Sequence, residues 1–515
     1  MKSLLKILVV LTCLSFFFQL VIDQSFENIV SVVILLIGAV ITFAYILSRD
    51  RYKKNPVSCF MLMMFNISSM SGALIVKTAY LSPVSESLNV PVFTFFVLGT
   101  VQLILVLSHY TYSNSRLLSH IRHGITEKFW VRFKIFSPVS EAQLWVMGLI
   151  GIVSIVISRG DSYASEELYD AASIPTKIAQ GLTLFAYAPL ALLSKESHYI
   201  SGDLLKNTTS KLTVYFLLLI FAGMAVNTRT TFMFALLAGG AIVWIGLATD
   251  KIKVSYTKRN VELAFIFCIL GILLALILSH LAKSMTVARY IRADVGGFEL
   301  LNLTIDIALD PGLVTRFSSY FAPDGDLSYS ESYISNPLLS RLIITKFHDN
   351  MFYYSADFSS SDRLLVVENT FNQILSLLPA PLLDLLGFNV DKSQLKYSLG
   401  DYFVWMSTGR PVGGFLTGSM IAESLVIFYW FLPLMILFSG WVYFIINDSL
   451  IRDNRIALLL SMQLGFVFNQ GFSSESISDF VGMYLRGIPQ NLVIYIIVYY
   501  FTKFICREFT QNEKK

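Results

Sequence analysis

Apolar runs about as long as one bilayer crossing recur along this chain, separated by short polar intervals. Twelve of them are predicted as helices, near 4–22, 29–48, 57–76, 91–109, 144–158, 178–194, 212–226, 232–249, 261–283, 419–446, 456–472 and 488–505. A crossing helix needs roughly 20 mainly apolar residues. The rhythm breaks once, at residues 284–418, a long interval of mixed polarity. The pattern therefore predicts an all-α polytopic membrane protein in three parts. Residues 1–283 carry helices one to nine, 284–418 form a long loop with interfacial helices, and 419–515 carry helices ten to twelve. No internal repeat is visible, which counts against the many transporter folds built from repeated halves.

Composition agrees with this pattern. The chain has 515 residues, of which 55% are apolar and only 14% charged; soluble domains carry about 25% charged residues. A net charge of +4 leaves no footprint for nucleic acid. Cys13, Cys59, Cys268 and Cys506 lie in or beside apolar runs and show no metal spacing, so they read as small hydrophobes. The opening "MKSLLKILVVLTCLSFFFQLV" resembles a signal peptide. Its apolar run is long and lacks a small-residue cleavage site, so it is expected to be a retained first span.

Lysine and arginine set the expected orientation. With the N-terminus inside, the inner segments hold 24 Lys and Arg, and the short outer loops hold five: Lys77, Arg159, Lys177, Arg229 and Arg486. The remaining ten lie on the long segment, which is thereby placed outside; long loops are exempt from the charge rule. Both termini are expected in the cytoplasm. Within the long segment, Phe371, Ile374, Leu375 and Leu378 fall at helical spacing before Pro379 and Pro381 interrupt the run. This predicts a helix on the outer interface or over the bundle mouth, the alternative being the core of a small separate subdomain.

The candidate chemistry is cationic. Arg229 sits in "NTRTT" at the tip of a tight outer hairpin, Arg410 precedes helix ten, and Arg486 precedes helix twelve. Arg289, Arg292, Arg363 and Lys392 add positive charge along the long segment. Guanidinium is a rigid fork that grips phosphate oxygens in pairs and stays charged. A cluster at the outer membrane level suits a lipid diphosphate, although a single interfacial arginine also serves as a snorkelling anchor. Glu423, in "SMIAESLVIF", is a candidate base or an ion-pair partner for Arg410. His348, in "KFHDN", is a candidate substrate ligand or a plain surface histidine. No metal-spaced set of His, Asp and Glu occurs, and neither a metal nor a cofactor is expected.

These features together resemble the Wzy-type O-antigen and oligosaccharide repeat-unit polymerases. The resemblance covers the whole chain: about twelve helices, both ends inside, one dominant outer loop late in the sequence. Locally, an arginine opens the helix of "NTRTTFMFALLAGG", and Arg229 and Gly240 keep the R-x10-G spacing of some members. "LSLLPAPLLDLLGFNVDK" resembles the family's apolar loop helix followed by proline and lysine, here Pro379 and Lys392. "GRPVGGFLTGSMIAES" resembles its glycine-rich lead into a helix with Ala-Glu, here Ala422 and Glu423. Members often continue with Asn-Phe-Gly, where this chain has "VIFYWFLP".

The resemblance implies a GT-C-like glycosyltransferase in the inner membrane, with the long loop periplasmic. It implies an inverting, metal-independent transfer between polyprenyl-diphosphate-linked oligosaccharides, for O-antigen or capsule. Membrane lipid and a chain-length regulator protein are implied as partners. Arg229, Arg410 and Arg486 would hold the diphosphate, and Glu423 would take the hydroxyl proton or orient Arg410. Two alternatives stay open: an O-antigen ligase, in which His348 would matter more, and a lipid-linked oligosaccharide flippase without chemistry.

Overall fold

The computed structural model describes residues 2–158, 174–201, 207–252, 275–288, 295–310, 312, 329–469 and 471–512. Among the described residues the chain is mainly helical, with two two-stranded pairings, Val139–Ser140 with Ile200–Ser201 and Ile451–Arg452 with Arg455–Ile456. Among the described residues eight helices are long and apolar enough to cross a membrane: Lys2–Ile22, Phe26–Lys54, Pro56–Ala79, Pro91–Asn114, Thr208–Ala225, Thr230–Ala248, Met420–Asp448 and Ile477–Cys506. Shorter apolar helices occupy Glu141–Ile157, Ala275–Ala288 and Leu458–Val467. The run Ile174–Leu182 continues as a tighter 3-10 helix over Thr183–Ser197 around Pro189, which cannot donate to the α-ladder.

The helices pack inside-out relative to a soluble protein. On Lys2–Ile22 the buried positions are Leu5, Thr12, Ser15 and Gln19, while Ile7, Val10, Leu14, Phe17, Phe18 and Val21 are exposed. The small and polar stripe meets the bundle because it can make hydrogen bonds there that lipid cannot supply. Gln19 donates from Nε2 to the Ser82 carbonyl (2.8 Å) and Thr78 Oγ1 (3.0 Å), and accepts from Val84 N (3.2 Å). Gly148 and Gly151 serve the same end elsewhere. A Cβ on Gly151 would collide with the backbone of Ala186, so only glycine lets these two helices approach so closely.

Charged contacts sort the loops to two ends. Lys2–Asp50 (2.9 Å), Lys53–Asp250 (2.6 Å) and Arg452–Glu127 (3.1 Å) lie together at the lysine- and arginine-rich end. A buried polar net ties helices together just inside it. Asp448 accepts from Ser58 N (3.1 Å), Ser58 Oγ (2.7 Å) and Tyr112 Oη (2.9 Å), and His109 bridges Ser58 (2.9 Å) to Tyr45 (2.7 Å).

At the opposite end, described parts of the long segment share a core with the bundle. Met351, Phe352, Val366 and Phe403 belong to the same apolar cluster as Phe65, Phe95 and Phe480. These residues therefore form a cap over the helices. Two devices fasten the cap. A π-helical turn at Ile67–Ser71 misaligns the helix ladder, and the carbonyls of Ser68 and Ser69 receive Ile344 N (2.9 Å) and Thr345 Oγ1 (3.1 Å). The buried Asp349 accepts from Asn89 N (2.7 Å), Val90 N (2.9 Å) and Thr94 Oγ1 (3.1 Å), so the cap supplies the N-terminal carboxylate for Pro91–Asn114. Lys346 neutralises it at 2.9 Å.

The expected loop helix is present as Ser360–Ser376, opened by a capping box between Ser359 and Asp362. Leu375 is buried and Ile374 half-buried, but Phe371 is exposed and Leu378 falls beyond the helix end. A second short helix, Ala380–Leu386, exposes Leu382, Leu385 and Leu386. Lys392 closes the turn between them by donating to the Leu378 carbonyl at 2.5 Å.

Candidate functional site

A cavity of about 310 Å³ opens under the cap. Its walls are Met61, Met64 and Phe65 from one helix, Met233, Phe234 and Leu237 from a second, and Tyr443 and Phe444 from a third. Its upper rim is polar: Asn227, Thr228, Arg229 and Thr230 from the hairpin tip, Arg341 from the cap, and Glu475 from the loop before the last long helix. The shape is that of a charged mouth over an apolar shaft.

The hairpin tip is built by helix termination. Thr208–Ala225 ends with Asn227 at φ +52°, and Asn227 N bonds the Met224 carbonyl (3.0 Å) while Thr228 N bonds that of Gly223 (2.8 Å). This double bond pattern caps the helix and turns the chain at once. Arg229 then stands at the N-cap of Thr230–Ala248, whose free amide end favours an anion at the same place.

Arg341 is held from the far side. Its guanidinium meets Glu331 Oε2 at 3.0 Å and donates to Thr417 Oγ1 at 3.1 Å, and Glu331 Oε1 accepts from Thr417 N at 3.1 Å. The glycine-rich lead that carries Thr417 is itself shaped by Asp401, which accepts from Gly413 N (3.3 Å), Phe415 N (2.8 Å) and Leu416 N (3.2 Å). Gly418 is needed there because a Cβ would press on the Glu475 carbonyl at 2.5 Å. Glu475 is solvent-exposed on the rim of the cavity, and the protein packed beneath it removes only part of its water. That desolvation pushes its carboxyl up to about 7; Asp479 and Glu331 push the same way, and Arg341 opposes them. A carboxylate poised there takes or gives a proton readily near neutral pH.

Of the residues expected from sequence, Arg229 lines this cavity. Arg410 and Arg486 do not; both are exposed, Arg486 in a π-helical turn at Met483–Gly487. Glu423 is buried and bonds to Thr370 Oγ1 (2.5 Å) and Ile477 N (2.6 Å), fastening the cap helix and the Ile477–Gly482 helix together, rather than pairing with Arg410. Arg363 stacks on the Tyr429 ring at 4.9 Å. His348 is buried, not on the surface; its Nδ1 meets Ser419 Oγ at 2.7 Å, and burial depresses its pKa to about 3, so the ring stays neutral. Arg289 and Arg292 lie outside the described residues.

Sequence reasoning passed over Glu475, Asn227 and the special place of Arg341. Arg341 was one of ten cations on a long segment, and nothing in its spacing distinguished it. Glu475, in "FSSESISDF", carried a usable signal: an acid in a short outer loop beside an apolar helix.

The fold and this cavity define a class, an all-α polytopic membrane protein with a cation-rimmed, apolar-floored site under a helical cap. Comparison with family models, curated proteins and solved structures gives no match.

Proposed function

We propose that this chain is a glycosyltransferase that joins polyprenyl-diphosphate-linked oligosaccharide repeats at the periplasmic face of the inner membrane. The observation that carries this reading is the cavity, where Arg229 and Arg341 stand over a shaft of Met and Phe side chains with Glu475 beside them. An anionic head on an apolar chain matches that division. In the transfer, a hydroxyl oxygen of the incoming repeat bonds to the anomeric carbon of the growing glycan. The bond from that carbon to the diphosphate oxygen breaks, and its electron pair leaves with the lipid diphosphate. The hydroxyl proton passes to Glu475. Arg229 and Arg341 meet the charge that develops on the leaving group, where preorganised donors act most strongly. Attack from the face opposite the diphosphate inverts the anomeric centre, and the arginines take the part a metal ion plays in other transferases.

Twelve crossings with both termini cytoplasmic complete this reading, formed by the eight long helices, the three shorter apolar ones and the Ile174–Ser197 run. Purified protein in lipid nanodiscs, supplied with lipid-linked repeats extracted from cells lacking this chain, is expected to build a ladder of polymers in excess EDTA. Arg341→Ala is expected to abolish the ladder. A wild-type protein that yields no product longer than one repeat, or that needs magnesium throughout, would sink the proposal.

A further inference from the structure

Asn227 is 1% exposed, lines the cavity beside Arg229, and has no hydrogen-bond partner on either Nδ2 or Oδ1. Its backbone explains a residue at ease in the left-handed region, asparagine included, but not the burial of an amide without partners. At φ +52° this is the helix-ending position that glycine fills most easily. Glycine would make the same two backbone bonds without burying two unmatched polar atoms, which is costly. The amide is therefore read as a ligand-binding feature: a buried donor and a buried acceptor side by side, in a residue that lines the cavity.

The kind of ligand follows from that pairing. Diphosphate oxygens only accept, so they would satisfy Nδ2 and leave Oδ1 unmatched. Arginine and lysine side chains only donate, and would do the reverse. A sugar hydroxyl both donates and accepts, and neighbouring hydroxyls answer both ends of an amide. Turning the amide over exchanges its ends and leaves the requirement unchanged. Resting on the reading of the cavity as a lipid-diphosphate glycan site, we propose that Asn227 binds hydroxyls of the sugar attached directly to the lipid diphosphate. It would then make the site select glycosylated lipid over the bare carrier that is its product. Arg229 grips the diphosphate, and Asn227, two residues before it on the same tip, reads the sugar next to it.

The test measures binding, with full-length protein in nanodiscs and two probes: undecaprenyl diphosphate, and the lipid-linked repeat extracted from cells lacking this chain. Asn227→Gly removes the amide and suits the backbone. It is expected to weaken binding of the lipid-linked repeat by about tenfold or more, the scale of two lost hydrogen bonds, and to leave undecaprenyl diphosphate within about twofold of wild type. Asn227→Ala is the second variant, at some backbone strain, with the same expected pattern. Equal affinity of wild type and variant for the lipid-linked repeat would overturn the inference while leaving the cavity reading intact. Equal weakening toward both probes would also overturn it, by assigning the amide to the diphosphate. Wild-type protein that binds neither probe would bring down the cavity reading and this inference together.

Discussion

Arg229 separates two physical roles that one substitution can tell apart. An anchor at the membrane surface needs only a positive charge on a long stem, and lysine supplies it. A diphosphate ligand needs a flat, two-pronged donor, which lysine lacks. Arg229→Lys and Arg229→Ala are both expected to insert normally and to lose about 10²–10³ in transfer rate, the cost of one preorganised donor. Near wild-type polymer length in the lysine variant at matched protein level would return the residue to an anchoring role. Glu475 makes a second prediction through pH. With its carboxyl at about 7, the fraction able to accept a proton rises between pH 6 and 8, and the transfer rate should rise with it. Glu475→Gln should flatten that profile and lower the plateau by 10²–10⁴-fold, the range of general base catalysis. The stability effect has the opposite sense. The folded-state pKa lies above the ordinary 4.5, so this group contributes stability at acid pH that is lost as pH rises through about 7. Thermal melts across that window should show the loss in wild type and its absence in Glu475→Gln.

Among the elements, the cap gives the sharpest expectations. Asp349 accepts from the amides of Asn89 and Val90, just ahead of Pro91–Asn114, and neutralises the buried Lys346. Asp349→Ala leaves a buried cation alone and several donors unmatched, which should cost about 3–5 kcal/mol. Melting of the detergent-solubilised protein would read it, and an unchanged midpoint would mean that water replaces the carboxylate. The Ser360–Ser376 helix tests packing against lipid contact. Leu375 is buried while Phe371 is exposed. Leu375→Asp is therefore expected to destabilise the protein strongly, and Phe371→Asp to leave its melting point alone and reduce polymer yield by weakening the hold on the membrane surface. The reverse ranking would mean that the helix rests the other way round. This helix shows what was legible in advance. Its apolar spacing, its proline stop and Lys392 were plain in the chain, because they are local. Leu378 falls past the last turn for the same local reason, since it directly precedes Pro379, whereas the reach of Thr370 to Glu423 depends on which neighbours the helix meets.

For the whole molecule, the expected orientation is testable apart from the chemistry. Reporter fusions after Arg51, Lys128 and Asn207 should read cytoplasmic, and one after Asp391 should read periplasmic. Cytoplasmic activity of the Asp391 fusion would put the cavity mouth away from exported lipid-linked glycan and end the proposed reaction.

What the sequence determined by itself is what the bilayer imposes. A membrane interior accepts only long apolar helices, so hydropathy reveals them, and the asymmetry of lysine and arginine gives the expected orientation that the fusions test. Hydropathy likewise put Arg229 at a hairpin tip between two such helices. The tertiary structure alone decided which charges share a site. Arg229, Arg341 and Glu475 stand more than a hundred residues apart from one another in the chain, and the cap brings them to one rim. Arg410 and Glu423 looked equally apt by spacing, and packing sent one to the surface and the other into a structural hydrogen-bond net. Such choices rest on contacts between distant segments, and no window of neighbouring residues records them. The unmatched amide of Asn227 is the clearest case, since in the sequence it is an ordinary turn asparagine and only burial without a partner sets it apart.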